Sequence, residues 1–488
     1  MRLPSARAAG RVALVVLGFA VVFGTHGLVL AEYLDSSRMN ADEGYYAIAA
    51  RSALEGKLPY RDFAYTQMPL LPYLNGLVME LGGYGLTVQR VVNSAWSFVA
   101  LLAVVLALRL RTGSFEPGLA AAFCLAASPH LAEMTAMGKT HGAELMGMAL
   151  VALAAVAPLS PLRRAAALAV CGVLAMGVRL SCAPMVALLM LLPVLEARGW
   201  RQRLLTLAIP AGTVLAVLGP FLLIAPEQMF FCNWQYHMAS VFQRRSLAQA
   251  LEWWHTSPGA ILVLVAALPA VPSLIRERRT GLILMLAAAL LGLTLPMIPH
   301  SAYGMYVIPA LPLAAVGGMA TIWSHEGIRR NPFRHAIWLL PALVLYHPLP
   351  RQNRESTAMS VEAVGRFLRE QVPPGPILTS LPIVAVESGR DVMPGTEMGM
   401  FAAMAPEERK RARRLHFTTL ADMTRMIEDQ EPEALVLMAG DNVWNFKWQI
   451  PTLRRQPKKA HARFRKAVKE NYESAFRSRM LEVWLPED

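Results

Sequence analysis

The sequence predicts a polytopic α-helical membrane protein that ends in a small α/β domain. Of its 488 residues, 55% are hydrophobic and only 17% are charged, whereas a soluble chain carries about a quarter charged residues. The mean hydropathy is +0.38. Apolar runs close to the length of a bilayer span, about 20 residues, recur throughout the region 1–350, and the composition changes at the start of 351–488.

Eleven apolar runs are candidate membrane spans. The first one follows several Arg residues, as a signal peptide does, but it is too long for a cleaved apolar segment, so we predict a retained anchor. The two shortest candidates are 165–178 and 336–349. In chain order the runs are 12–30, 88–108, 117–136, 143–158, 165–178, 182–196, 204–225, 258–275, 281–298, 304–323 and 336–349.

Membrane topology, rather than nucleic-acid binding, explains the formal net charge of +13. With the N-terminus in the cytoplasm, the predicted cytoplasmic segments of the region 1–350 hold sixteen Arg residues, and the external loops after the first hold four Lys or Arg residues. This asymmetry follows the positive-inside rule. Because the number of spans is odd, the region 351–488 is then on the external side of the membrane.

The region 351–488 has a nearly balanced charge, with 22 Lys and Arg against 19 Asp and Glu. Short apolar runs at 377–378, 434–438 and 481–485 predict strands, and the stretches 358–371 and 419–430 predict amphipathic helices. The basic run Arg409–Arg414 has two interpretations, contact with anionic lipid or a solvated helix. The acidic residues before it match a helix dipole, which favours the solvated helix.

The first external loop, 31–87, holds the most informative residues of the chain. Asp42 and Glu43 follow Asn40 in a pattern that predicts a capping box at the start of a helix. The predicted helix ends near Gly56 and carries apolar residues that we expect to lie on the membrane. The two carboxylates therefore have a structural explanation as helix-start residues and a functional one as catalytic groups.

The apolar residues that we expect on the membrane-facing side of this helix are Tyr45, Ile48, Ala49 and Ala53. A second short helix is predicted from Pro69 to the glycines at 82–83. Two interfacial helices with acids at the entry of one of them would frame a pocket at the outer surface.

Three sequence patterns carry a resemblance to a known family. They are D-E-G-Y-Y at 42–46, L-E-G-K-L-P-Y-R-D-F at 54–63 and P-L-L-P-Y-L at 69–74, with the run H-S-A-Y-G-M-Y-V-I-P-A-L-P-L at 300–313 as a weaker fourth. The chain resembles the C-superfamily (GT-C) of membrane glycosyltransferases. It is most similar to the branch with the bacterial protein-O-mannosyltransferase-like proteins, the lipid A aminoarabinose transferase and the rhizobial galacturonosyltransferases.

The resemblance implies that Asp42 is catalytic and that Glu43 and Asp62 are accompanying acids. The sequence departs from the family at two places. The relatives often have Lys-Pro-Pro-Leu where this chain has 67–70, Q-M-P-L, and an Asp before the fourth span where it has His141 and Glu144. The metal-binding residues remain unknown, and a divalent metal held by Asp42 with His141 or Glu144 stays possible.

The resemblance also implies the substrates. No P-loop or dinucleotide-binding glycine motif is present, and an external enzyme needs a sugar that crosses the membrane on a lipid, so the expected donor is a polyprenyl-phosphate sugar. The acceptor is lipid A or lipopolysaccharide, another glycan or a protein, and we expect inversion at the anomeric carbon. The implied location is the bacterial inner membrane, with a cytoplasmic N-terminus and a periplasmic C-terminal domain, and with no nucleic-acid partner.

The leaving phosphate requires cations near the interface. The candidates are external or nearly external, although each has a simpler explanation as a snorkelling or topology residue: Arg51, Lys57, Arg90, Lys139 and Arg179. Polar and aromatic residues are further substrate-binding candidates, although aromatic residues also form interfacial belts: Tyr45, Tyr60, His141, Glu144, His300, Tyr303 and Tyr306.

Two other classes of function fit parts of the sequence. A transporter or lipid flippase would also place charges in the membrane, but the sequence has no internal repeat of the transporter kind. A non-catalytic scaffold that presents the C-terminal domain would explain the first-loop acids only as helix caps.

The charge distribution gives a prediction of topology. Reporter fusions at Lys57 and Gly375 should both give an external signal, because the positive-inside rule places the first loop and the C-terminal domain on the same side. A cytoplasmic signal from either fusion would contradict the eleven-span topology.

Overall fold

The computed structural model describes residues 6–36, 40–239, 257–297, 304–324, 357–404, 406–438 and 458–487. The candidate span 336–349 and two substrate-binding candidates, His300 and Tyr303, lie outside these residues. The described chain consists of a helical membrane region followed by a smaller region with helices and a sheet.

Ten helices make up the first half of the membrane region, up to Ile224. They are α1 Ala6–Ser36, α2 Ala41–Leu54, α3 Leu70–Gly82, α4 Leu86–Thr112, α5 Glu116–Ala126, α6 Pro129–Ala136, α7 His141–Val156, α8 Pro161–Val178, α9 Ala183–Glu196 and α10 Trp200–Ile224. The later helices are Pro226–Phe230, Tyr236–Ala239, Pro258–Ala267, Val271–Arg276, Thr280–Thr294 and Leu311–Trp323, and a π-helical turn covers Phe231–Gln235.

Six segments of the described chain are long and apolar enough to cross a membrane: Val12–Leu34, Leu86–Thr112, Pro161–Val178, Trp200–Ile224, Pro258–Arg276 and Met305–Trp323. Four shorter apolar helices accompany them, at Glu116–Ala126, His141–Val156, Leu180–Glu196 and Thr280–Thr294. Ten of the eleven predicted apolar runs therefore fall on apolar helices. The short candidate 165–178 belongs to a longer helix, because α8 begins at Pro161.

The predicted span 117–136 is wrong as a single helix. Helix α5 ends at Ala126, and the Ser128 hydroxyl accepts a 3.4 Å hydrogen bond from the backbone N–H of Leu131 at the start of α6. Pro129 is at the first position of α6. Proline is favoured there because a backbone N–H at this position would have no partner within the helix, so its absence costs nothing. A serine cap followed by proline thus divides this apolar run into two helices.

Small residues bring the membrane helices close together. A Cβ on Gly142 would lie 2.2 Å from the Asn93 carbonyl oxygen of α4, and a Cβ on Gly147 would lie 2.8 Å from the Ala175 Cα of α8. Glycine at such contacts allows backbones to approach, which is typical of helix packing in membranes. Helix α7 is therefore held tightly between α4 and α8.

The C-terminal region contains a four-stranded sheet in the order β1-β4-β6-β5. Its strands are β1 Ile377–Thr379, β4 Ala434–Met438, β5 Tyr472–Arg477 and β6 Leu481–Pro486, and a short parallel pair is formed by β2 Ala403–Met404 and β3 Thr418–Thr419. Strands β1 and β4 are parallel, with Ile377 opposite Ala434, and β6 is antiparallel to both of its neighbours.

Helices at Thr357–Gln371, Ile383–Ser388, Arg409–Arg414, Leu420–Glu428 and Lys458–Asn471 accompany this sheet. The three strands and two helices that the sequence predicts in this region are confirmed. Hydrophobic side chains of the sheet and of these helices share a core with the first loop, and this core includes Ala47 and Ile48 of α2 and Val361 and Ile377 of the C-terminal region.

The prediction that one side of α2 lies on the membrane is wrong. Tyr45, Ile48, Ala49 and Ala53 are each at most 7% exposed, because protein covers α2 on opposite sides. A Cβ on Gly76 of α3 would lie 2.8 Å from the Ala50 carbonyl oxygen of α2. On another side of α2, a Cβ on Gly44 would meet the backbone nitrogen of Ile383 at 2.5 Å.

The run Arg409–Arg414 is a helix, as the favoured interpretation predicts, and its arginines also bind other parts of the protein. Arg409 and Arg413 pair with Asp422 at 2.7 and 2.9 Å within the C-terminal region. Two other arginines reach the membrane region. Arg411 donates to the Gln235 side chain at 3.0 Å and stacks on Phe231, and Arg414 pairs with Glu227 at 3.0 Å. The basic run therefore attaches the C-terminal region to the segment 226–235.

Replacing Gly142 with alanine should destabilise the protein, because the added Cβ would collide with the Asn93 carbonyl oxygen. We expect a loss on the order of 1–3 kcal/mol from overpacking, measured as a lower melting temperature of the detergent-purified protein. Gly212→Ala is the matched control, since its Cβ meets nothing within 4 Å in the middle of α10, and it should not lower stability. Equal melting temperatures for the two variants would contradict the α4–α7 contact.

Candidate active site

A cluster of charged side chains lies at the N-terminal end of α2. The capping box predicted there is confirmed: the Asn40 side chain accepts from the Asp42 N–H at 3.0 Å, and Glu43 Oε2 accepts from the Asn40 N–H at 2.8 Å. Asp42 also forms an ion pair with Lys139, with 2.7 Å between Oδ2 and Nζ. The Asp42 side chain is 29% exposed and that of Lys139 is 6% exposed, so the carboxylate remains accessible while its cation is buried.

Glu43 is turned away from this opening and is fully buried. Its carboxylate accepts two hydrogen bonds from the Arg90 guanidinium, at 2.8 and 3.0 Å, and a third from the Gly138 N–H at 2.9 Å. With the Asn40 N–H, four donors surround the two oxygens of Glu43. Arg90 is itself 1% exposed and donates to the Leu34 carbonyl at 3.1 Å. Neither member of this pair reaches an accessible surface.

A tight approach of the loop before α7 brings Lys139 to Asp42. Gln89 of α4 donates through Nε2 to the carbonyls of Glu43 and Gly138, at 3.0 and 2.7 Å. A Cβ on Gly138 would lie 2.5 Å from the Gln89 side chain, so only glycine allows the loop to pass this close. Gln89 is thus a common donor to the start of α2 and to the loop that carries Lys139.

A second charged group follows directly along the chain. His141 Nδ1 lies 2.5 Å from Glu144 Oε1, and Arg179 Nη1 lies 3.2 and 3.1 Å from the two oxygens of Glu144. The Arg179 guanidinium also stands 4.6 Å from the centroid of the Tyr306 ring and 3.4 Å from the hydroxyl of Thr140. His141 and Glu144 are buried. The structure therefore joins five of the predicted substrate-binding residues, Lys139, His141, Glu144, Arg179 and Tyr306, through the short segment 139–144.

Buried aromatic rings stand beside Asp42. The rings of Tyr45 and Tyr46 are 4.2 Å apart between centroids, and Tyr65 lies 6.3 and 6.1 Å from them. Burial raises the pKa of Tyr46, and the neighbouring negative charge of Asp42 adds to this shift. Burial likewise raises the pKa of Tyr45. Both phenols therefore remain neutral.

Sequence reasoning did not select Tyr46, Tyr65, Tyr236 or His237. Tyr236 is 8% exposed and belongs to the same buried aromatic cluster as Tyr46 and Tyr65. The ring of His237 is held by its Nε2, 2.7 Å from the Thr66 carbonyl oxygen. Tyr46 carries a sequence signal, as the tyrosine of D-E-x-x-Y. Tyr65, Tyr236 and His237 have none, because their positions depend on segments that meet only in the folded chain.

Four other predicted site residues lie elsewhere. The side chains of Arg51 and Lys57 form ion pairs with Asp391 at 2.8 Å and with Glu55 at 3.0 Å, towards the far end of α2. The other two, Tyr60 and Asp62, belong to a tight turn.

Tyr60 has a backbone φ of 70°, a conformation that is uncommon for a residue other than glycine. Its hydroxyl donates to the Gln67 carbonyl at 2.5 Å. Asp62 closes the same turn by accepting from the Leu58 N–H at 2.7 Å. The Arg61 guanidinium, hydrogen-bonded to Asp62, keeps the pKa of that carboxyl below its usual value, against a smaller opposing effect of burial. The P-Y-R-D-F motif thus builds a turn.

The donor set does not fit a divalent metal. Within the part of the chain that the structure describes, no three His, Cys, Asp or Glu side chains lie together in a way that could hold a metal ion. Asp42 and Glu144, the oxygen donors that the sequence offered, are each paired with a cation, Lys139 and Arg179 respectively.

The overall architecture is similar to that of a solved membrane protein. The structure of ArnT from Cupriavidus metallidurans bound to undecaprenyl phosphate matches with a TM-score of 0.64 and 14% sequence identity, covering 97% of this chain and 98% of ArnT. Its apo structure matches with a TM-score of 0.62 and 15% identity, covering 98% of each chain. The chain has the GT-C membrane fold.

The GT-C fold confirms the architecture expected from the first-loop resemblance. No protein-family model matches the sequence, and no curated protein is similar enough to count as a relative. The similarity in fold extends over nearly the entire chain and includes the C-terminal region as well as the membrane helices.

The two adjacent acids should respond differently to loss of charge. Glu43→Gln leaves the Arg90 guanidinium buried without a counter-charge, which costs about 3–5 kcal/mol, so the melting temperature of the purified protein should fall well below that of the wild type. Asp42→Asn keeps a good residue for the helix start and loses at most about 1 kcal/mol. The assignment of Glu43 as the structural acid fails if Glu43→Gln is as stable as Asp42→Asn.

Proposed function

We propose that this protein is a glycosyltransferase that moves a sugar from a polyprenyl-phosphate donor to an envelope acceptor at the outer face of the bacterial inner membrane. The observation that carries the proposal is the accessible Asp42 carboxylate, 2.7 Å from the buried ammonium of Lys139, in a GT-C fold. The similarity to ArnT, whose structure contains undecaprenyl phosphate, supports a lipid-phosphate donor.

The chemistry assigned to Asp42 is general-base catalysis. An acceptor hydroxyl attacks the anomeric carbon, its proton passes to the Asp42 carboxylate, and the bond from that carbon to the phosphate oxygen breaks, so that the electron pair leaves with the polyprenyl phosphate. A carboxylate within hydrogen-bond reach of the nucleophile is suited to this step. The Lys139 ammonium, 2.7 Å from Asp42 Oδ2, holds this carboxylate in place.

Lys139 and Arg179 are the cations that we assign to the leaving phosphate. An ammonium has three N–H donors, and Asp42 is the one ion-pair partner of Lys139 among the described residues. Arg179 is oriented by Glu144 through Nη1 and is 13% exposed. Preorganised cations of this kind stabilise the negative charge that develops on the departing phosphate.

Within this proposal Glu43 and Arg90 are positioning residues. Their buried ion pair fixes the first turn of α2, which carries Asp42, and the hydrogen bond from Gly138 fixes the loop that carries Lys139. Asp62 becomes a turn residue. Inversion at the anomeric carbon, an external C-terminal region and an acceptor that is lipid A or lipopolysaccharide, another glycan or a protein complete the proposal.

The donor class is tested with the purified protein in detergent. Radiolabelled polyprenyl-phosphate sugars should label an acceptor in an envelope extract, whereas nucleotide sugars in a lipid-free assay should not. Nucleotide sugars are made in the cytoplasm, and a site on the external side is expected to recognise the lipid-linked donor instead. Efficient transfer from a nucleotide sugar would contradict the proposal, and so would movement of intact lipid-linked sugar across a vesicle without transfer.

The same assay tests Asp42. The amide of Asp42→Asn cannot accept the acceptor's proton, so the rate should fall at least ~10²-fold while expression and melting temperature stay near those of the wild type. Asp429→Asn, which removes an exposed carboxylate at the end of the helix Leu420–Glu428, is the matched control and should retain full activity. Near-normal turnover by Asp42→Asn would remove the assignment of the base.

A further inference from the structure

A cavity of about 700 Å³ lies between the second half of α2, the loop that follows it and the C-terminal region. Its volume is in the range of small-molecule binding sites. None of the residues of the Asp42 and Arg179 clusters lines it. On α2, Asp42 and Arg51 are nine residues apart, which corresponds to about 13 Å along a helix axis. This cavity, called the roof pocket below, is therefore separate from the candidate active site.

The walls of the roof pocket combine apolar surfaces with charged groups. Ile48 and Phe63 of the first loop and Pro376 and Pro394 of the C-terminal region supply apolar faces. At the rim, Lys57 is exposed and donates to Glu55 at 3.0 Å, and the exposed Arg369 has a backbone carbonyl, that of Glu387, as its partner. An apolar lining with a few polar groups is the usual composition of a ligand site.

Arg51 and Arg390 of the lining are held by protein atoms. Arg51 Nε lies 3.6 Å from Glu55 Oε1, whereas Arg390 Nε and Glu397 Oε2 are buried without a hydrogen-bond partner among the described residues. The other groups of these arginines are engaged: Arg51 Nη2 binds Asp391 at 2.8 Å, and Arg390 donates to the Leu368 carbonyl at 2.8 Å. The exposed cations of the lining, which a ligand can contact, are Lys57 and Arg369.

Glu397 gives the pocket a group that can both donate and accept. Burial raises the pKa of Glu397 to about 7, against smaller opposite effects of nearby backbone N–H groups and of Lys57. Near neutral pH a large part of this carboxyl is therefore protonated. The four cations of the lining, Arg51, Lys57, Arg369 and Arg390, then outnumber the remaining acids, Asp62 and Asp391.

We propose that the roof pocket binds an anionic saccharide, a sugar that carries a carboxylate or a phosphate. Hydroxyl groups of the sugar match the polar side chains of the lining, its C–H faces match the Phe63 and proline surfaces, and its negative group matches Lys57 and Arg369. We extend the proposal in one respect that rests on the proposed transferase function. The saccharide in the roof pocket is the part of the acceptor that lies beyond the reacting hydroxyl.

Binding is measured on the full-length Asp42→Asn protein, so that the result does not depend on turnover. The probes in calorimetric titrations are trigalacturonate, glucose 6-phosphate, the neutral maltotriose and inorganic phosphate. At least one of the two anionic saccharides should bind saturably and more tightly than maltotriose and phosphate. Lys57→Gln with Arg369→Gln should weaken that binding about tenfold because it removes the two exposed cations, and Glu397→Leu should weaken it about tenfold because it removes the carboxyl group that donates and accepts.

The matched control is Arg465→Gln with Lys469→Gln, which removes the same charge from exposed positions on the helix Lys458–Asn471 and should leave binding unchanged. The proposal is overturned if neither anionic saccharide binds, if phosphate alone binds as tightly, or if the pocket variants bind like the control.

The extension to the acceptor is measured separately in the active protein. There the pocket variants should raise the KM for a saccharide acceptor about tenfold with little change in kcat. A protein that binds the probes but transfers no sugar would refute the proposed function and leave the binding site in place. If the protein is an active transferase and the pocket variants leave the acceptor KM unchanged, the extension alone is refuted.

Discussion

The buried ion pair between Glu43 and Arg90 is the interaction on which the geometry of the candidate site depends. It connects three segments that are distant in sequence: the start of α2, the start of α4 and the loop before α7. Because both side chains are nearly inaccessible, each charge needs the other, and separation would leave an uncompensated charge inside the protein. The pair therefore fixes where α2 begins, and with it the direction of the neighbouring Asp42 side chain.

Two adjacent acids with opposite environments follow from this arrangement. Successive residues of a helix point about 100° apart, so Glu43 faces α4 while Asp42 faces Lys139 and the opening. The Gly138 N–H, bound to Glu43, and Gln89, bound to the Gly138 carbonyl, hold the loop of Lys139 at the same place. The buried ion pair of Glu43 with Arg90 and the accessible ion pair of Asp42 with Lys139 thus both start from the first turn of α2.

The C-terminal region is part of the first loop's environment rather than an appendage. Its side chains share a core with α2, the Phe401 ring lies 6.3 Å from that of Tyr45, and Arg411 and Arg414 attach it to the segment 226–235. Because the entry of α2 packs against Ile383, the backbone there needs Gly44. Packing of the C-terminal region against the entry of α2 thus helps to position the Asp42 carboxylate.

The candidate site was predictable only where the sequence pattern was local. Asn40, Asp42 and Glu43 form a capping box that can be recognised from three neighbouring residues, whereas the turn at P-Y-R-D-F, which contains Asp62, was not predicted. The partners of Asp42 and Glu43 were not local: Lys139 and Arg90 appeared in the sequence only as two of several external cations. Arg51 and Lys57 are also basic, yet they lie at the other end of α2. The position of a single cation in the sequence does not indicate which carboxylate it will pair with in the fold.

The sequence by itself determined the membrane class, the positions of ten apolar helical runs, three strands of the C-terminal region and the start of α2, because hydrophobicity, periodicity and helix capping act over short stretches of chain. Only the tertiary structure decided that α2 is covered by protein, that Arg409–Arg414 is a docking segment and that Asp42, Lys139, Glu144 and Arg179 converge. Those outcomes depend on contacts between residues up to hundreds of positions apart, where burial and charge pairing are settled by which surfaces the fold brings together.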